Sequence, residues 1–178
     1  MIDPNSVTRP ARRIRTVMTC GLLLLFAVAA ALAFGAVAMP ASLGESLARV
    51  SGFPTGPLQA WQNGALLGIA AVHLTIWILL LGIARRLFGN LAEGEAETAG
   101  RTARTLSHWL WAMLAWGVIA QMLVSLVATW GLPEGERSVV LAVGTTQISL
   151  ALSALIAGFM ARAFALGAEL WRDHREVV

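Results

Sequence analysis

Four stretches of this 178-residue chain carry no charged residue: 16–44, 50–84, 105–133 and 138–161. Each exceeds the roughly 20 apolar residues needed to cross a hydrocarbon core of about 30 Å. In hydrocarbon the backbone N–H and C=O groups have no water to pair with, and an open strand edge would leave them unsatisfied. The element that fits is the α-helix, and the sequence predicts transmembrane helices at about residues 17–39, 61–84, 107–130 and 139–161. Hydrophobic residues make up 57% of the chain and charged ones 13%, against about a quarter charged in soluble domains. The expected architecture is therefore all-α: one integral membrane domain, a four-helix bundle covering residues 1–178.

The charges that remain are segregated. All 13 basic residues are arginine, and 11 of them precede the first stretch, separate the second from the third, or follow the fourth. Only Arg49 and Arg137 lie on the other side. The positive-inside rule then places both termini and the 85–106 segment in the cytoplasm, as in a multi-pass inner-membrane protein. A basic rim that meets anionic lipid accounts for the charge without nucleic acid, so no direct nucleic-acid binding is expected. The single cysteine, Cys20, excludes an intrachain disulfide and a cysteine-based metal cage.

Residues 16–38 follow a basic segment and end in the small-x-small triplet Ala36-Val37-Ala38. They are too long for a signal-peptide core of about 7 to 15 residues, and a retained anchor is expected. Ala27, Ala31 and Gly35 recur every four residues as a smooth packing face. Between the first two stretches, Ser42 and Glu45 have capping-box spacing, and Leu43, Leu47 and Val50 fall on one helical face. A short interfacial helix on the outer surface is expected, ended by the cluster of Gly52, Pro54, Gly56 and Pro57.

The second stretch carries Gly64 and Gly68 in a GxxxG arrangement, which permits close helix approach inside the bundle or in a homodimer or larger membrane complex. His73 follows near its middle; Gln121 and Gln147 fall at similar depth in the third and fourth stretches. Polar side chains at such depth face the bundle, so the three form a candidate intramembrane polar layer. It either fixes helix register or lines a small-ligand or proton-linked site. His108 lies about 18 Å of helical rise from His73, and within the expected spans no Asp or Glu joins them and Cys20 is the one cysteine. No metal site, cofactor or catalytic group is expected, and the chain does not read as an enzyme.

The segment RRLFGNLAEGEAETAGRTAR, residues 85–104, is the charged break between the two halves. Read as a cytoplasmic loop, it has Thr98 as N-cap of a helix entering the third span, with Arg101, Arg104 and His108 as a basic stripe. The stripe is either a lipid-facing rim or a docking surface for a cytosolic protein, the candidate docking residues being Phe88, Gly94, Glu95, Thr98, Arg101 and Arg104. Beyond residue 161 the last helix is expected to continue as an amphipathic extension through Phe164, Leu166, Leu170 and Trp171.

Leu87-Phe88, then Leu91-Ala92-Glu93-Gly94-Glu95-Ala96, then Thr98 and a basic helix start resemble the loop of the DUF2975 family of small four-span bacterial membrane proteins. Phe164, Gly167 and Leu170 are similar to that family's closing pattern; Glu97 stands where the family favours phenylalanine. The resemblance implies a non-catalytic regulatory protein of the bacterial inner membrane that modulates or sequesters a small helix-turn-helix transcription regulator. An accessory or protective subunit of another membrane protein is the alternative, and a small transporter the third.

Overall fold

The structure is a computed structural model that describes residues 5–52, 58–133, 137, 139–141 and 143–176; the side chains of 5–9, 96, 168 and 170–176 are outside the description. Five helices follow in order: α1 (Asn5–Ala38), α2 (Pro40–Val50), α3 (Ala60–Glu93), α4 (Ala96–Thr129) and α5 (Thr145–Glu176). Among the described residues there is no strand. Four helices contain segments long and apolar enough to cross a membrane: Pro10–Ala38, Ala60–Glu93, Glu97–Thr129 and Thr145–Gly167.

The expected 85–106 loop is helical instead. α3 continues through Arg85 and Arg86 to Glu93, and α4 begins at Ala96, leaving only Gly94 and Glu95 between them. Gly94 adopts φ 80°, its N–H donates to the Leu91 carbonyl, and the Glu95 N–H donates back to the Asn90 carbonyl at 2.9 Å. This is the glycine-capped helix end that only a residue without Cβ enters freely. Arginine, leucine and alanine are good helix formers, so charge marks where lipid is expected to end but does not stop the helix. Thr98, expected as the N-cap, lies inside the first turn of α4; Glu95 holds the cap position.

The fourth span also shifts. Residues 139–141 and 143 are non-helical, and α5 starts only at Thr145. Val139, Val140 and Val143 are β-branched and disfavour a helix. Gly144 precedes the first turn, and its N–H donates to Gln147 Oε1 at 2.9 Å, half of a capping arrangement. At the other end α5 runs on to Glu176. The faces of Leu170 and Trp171 lie outside the described residues, as do Pro54, Gly56 and Pro57.

The long helices pack in chain order, α1 on α3, α3 on α4 and α4 on α5, with α2 laid against α3. Neighbours run antiparallel: Arg15 near the start of α1 pairs with Glu93 at the end of α3, and Gly100 of α4 meets Phe164 of α5 whereas Ser107, further along α4, donates to the Ala154 carbonyl, further back along α5, at 2.8 Å. The start of α1, the end of α3, the start of α4 and the end of α5 therefore share one arginine-rich end. Small residues make the closest approaches. A Cβ on Gly100 would sit 3.2 Å from Phe164 Cβ, and one on Gly158 3.2 Å from Ser107 Oγ.

The α1 contact is a different face from the one expected. Ala27 and Ala31 are exposed, whereas Met18, Leu22, Leu25, Ala29, Leu32 and Ala36 are half-buried at alternating spacings of four and three, a coiled-coil-like seam. Gly21 makes the tightest point, a Cβ there falling 2.9 Å from Leu81 Cδ2. Gly35 packs instead on Leu43 of α2.

α2 exists, but its capping box does not form. Met39 is the N-cap and Pro40 the first helical residue, and Ser42 Oγ donates to the Met39 carbonyl from within the helix. Its buried face is centred on Gly44 and Ala48, while Val50 is 89% exposed. Ala48 packs with Leu66 of α3 and Ala128 of α4. Gly44 lies so close to α3 that a Cβ would collide with the Asn63 amide oxygen.

Candidate functional site

At the α2 end, α3 is fixed to α4 by a buried glutamine. Gln62, 2% exposed, accepts the Gln59 N–H at Oε1 and donates from Nε2 to the Val127 carbonyl, both at 2.7 Å. Beside it, Trp61 and Trp130 meet edge to face at 6.1 Å, and the Arg137 guanidinium lies 5.5 Å from the Trp130 ring centre. Gln62 and Asn63 are not among the candidate residues that hydropathy and spacing single out. Two adjacent amides at a helix start, preceded by Gln59, are the signal that was there to be read.

Beside this frame lies a cavity of about 590 Å³ between α3, α4 and the start of α5, with Leu32 of α1, Leu47 of α2 and the α2 C-cap Ser51 also in its lining. His73, Gln121 and Gln147 all line it. The three do not hydrogen-bond to one another among the described residues, and Gln147 is the third residue of α5 rather than mid-helix. His73 Nε2 accepts the Trp77 indole N–H at 3.1 Å, one helical turn on. Gln121 has no hydrogen bond among the described residues. Apolar walls come from Leu66, Ile69, Met113, Val124 and Leu150 among others.

Gly64 and Gly68 are exposed, and a Cβ on either would meet nothing within 4 Å; Gly64 is open, whereas Gly68 lines a recess of about 410 Å³ between α3 and Ala29, Leu32, Ala33 and Ala36 of α1. His108 is exposed and apart from His73, and among the described residues no three His, Cys, Asp or Glu side chains gather as a metal would require.

The arginine-rich end is the second surface with functional character. Inside it, Leu87, Ala99, Ala103 and Ala161 form a buried cluster, with Leu91, Leu106 and Phe164 packed on it. Asn90 Nδ2 donates to Thr102 Oγ1 across the hairpin at 3.1 Å. Arg15 lies over Gly89, its guanidinium 3.6 Å from Glu93. Of the docking candidates, Phe88 and Thr98 are half-buried, Gly94 and Glu95 form the tip, and Arg101 and Arg104 are exposed. Arg101 pairs with Glu97 at 3.2 Å. Both arginines border a recess of about 180 Å³ floored by Gly100, Ala161 and Ala165. No protein-family model, curated protein or solved structure matches the chain.

Proposed function

We propose that the chain is a non-catalytic, multi-pass protein of the bacterial inner membrane, with both termini cytoplasmic, that docks and so modulates a cytosolic protein at its arginine-rich end. The observation that carries this reading is the preformed hairpin tip. Arg85, Arg86, Arg101 and Arg104 project from two helices joined by a two-residue turn and backed by the Leu87, Ala99, Ala103 and Ala161 cluster. A surface already ordered loses little entropy on binding, and guanidinium groups in a fixed array suit an acidic protein face. Orientation is supported by the 11 arginines assigned to that side against Arg49 and Arg137. The bacterial setting and a small helix-turn-helix regulator as partner rest on the loop resemblance alone.

The test is crosslinking in native membranes, followed by purification of the tagged protein and mass spectrometry. A soluble protein recovered with the native chain and lost in the Arg101→Glu, Arg104→Glu variant supports docking at this end. Recovery of integral membrane proteins alone contradicts it. That outcome would favour an accessory subunit or homodimer, for which the exposed Gly64 and Gly68, with no atom within 4 Å of a Cβ on either, supply a smooth, unfilled helix face.

A further inference from the structure

Ser51 and Thr146 bring hydroxyls, which both donate and accept, to the wall of the 590 Å³ cavity, but two of its polar side chains, His73 and Gln147, are left with donors alone. An indole N–H only donates, so its bond to His73 Nε2 makes that nitrogen the acceptor and leaves the ring proton on Nδ1. The Gly144 N–H likewise only donates, so the oxygen of Gln147 is the atom it engages, and the Gln147 NH₂ is left over. Both acceptors are spent within the protein, and both remaining groups are donors. Gln121 adds an amide with no partner among the described residues. No charged side chain lines the cavity among the described residues, and most of its wall is aliphatic or aromatic.

We infer that this cavity binds an uncharged, largely apolar molecule through a carbonyl or similar acceptor oxygen, held by His73 and Gln121 with Gln147 beside them. A volume near 600 Å³ lies within the range of ligand pockets and admits a fused ring with a short chain. Unpaired donors facing an apolar space are costly, and an acceptor oxygen satisfies them while the hydrocarbon body covers the walls. A charged head has no counter-ion in the described wall, and a plain hydrocarbon leaves the donors unmet. The site is independent of the arginine-rich end and stands or falls apart from it.

Gly117 provides a way to close the cavity without disturbing the core, since it lines the space and a Cβ there would meet nothing within 4 Å. The experiment uses the full chain in phosphatidylethanolamine and phosphatidylglycerol nanodiscs, photolabelled with benzophenone, a neutral diaryl ketone, and mapped by mass spectrometry. Expected is saturable labelling within residues 113–124. Fluorenone, which has a carbonyl, should compete at about tenfold lower concentration than fluorene, which lacks one, as one or two net hydrogen bonds imply. Gly117→Leu should abolish the saturable label, and His73→Phe and Gln121→Leu should each weaken it several-fold. Equal competition by fluorene and fluorenone, read on the native protein alone, overturns the acceptor assignment. Non-saturable labelling spread over the outward-facing Val72 and Leu79 overturns the site itself.

Discussion

Two glycine-to-alanine substitutions, chemically identical and both at the α2 end of the molecule, should have opposite effects. At Gly44 the added methyl collides with the Asn63 amide oxygen and would lie 2.7 Å from its Cγ and 3.1 Å from its Cβ. Asn63 is 7% exposed, so the amide has little room to rotate, and its oxygen has no hydrogen-bond partner among the described residues. Overpacking of this kind costs about 2 kcal/mol, offset by about 1 kcal/mol of helix propensity gained on replacing glycine. The net is a loss of about 1 kcal/mol. At Gly64 the methyl meets nothing within 4 Å, so only the propensity gain of about 1 kcal/mol remains. The gap of about 2 kcal/mol corresponds to roughly 4 to 8 °C in Tm for a domain of this size. Thermal melts of the detergent-purified variants measure it, and adding Asn63→Ala to Gly44→Ala should recover most of the loss by removing the obstructing amide. Equal Tm values for the two alanine variants would refute the packing of α2 on α3 described above.

Other expectations follow from the same contacts. Gly100→Leu drives a branched side chain into Phe164 and the Ala161 carbonyl, 3.2 and 3.6 Å from the Cβ position, and should cost about 3 kcal/mol, seen as a lowered Tm and loss of monodispersity. Gln62→Leu strands the Gln59 N–H, leaves the Val127 carbonyl with only the long Trp130 N–H bond of 3.4 Å, and should cost about 2 kcal/mol by the same melts. Glu93→Ala breaks an ion pair whose side chains are 44% and 61% exposed, and its effect should stay below about 0.5 kcal/mol and vanish in high salt. Hydrogen exchange of residues 85–93 in nanodiscs should be slow, as for a packed helix, where a solvated loop would exchange at once.

The number of long helices was legible because charge and lipid are incompatible. The starts of α3 at Ala60 and the end of α4 at Thr129 fall within one residue of the limits read from hydropathy. What hydropathy misses is everything set by contacts between helices. Lipid and protein interior are equally apolar, so nothing in Ala27, Ala31, Gly64 or Gly68 distinguishes a packed face from an outward one. For the same reason Gly21 and Gly100, the close approaches, looked like any other small residue. The arginines of 85–104 mark the expected membrane boundary, but charge does not end a helix, and the residues around them favour helix up to Gly94. His73, Gln121 and Gln147 do share one cavity, but a mid-span depth for Gln147 requires a helix starting at Val139, whereas Gln147 sits in the first turn of a helix that starts at Thr145.

The proposed function requires the arginine-rich end to face the cytosol. In a Cys20→Ser background, Glu95→Cys at the hairpin tip and Ser46→Cys on the exposed side of α2 can each be treated with a membrane-impermeant maleimide. Glu95→Cys should react only in inverted membrane vesicles, and Ser46→Cys only from the outer face of spheroplasts. Labelling of Glu95→Cys from the outer face would contradict the proposed orientation and cytosolic docking with it.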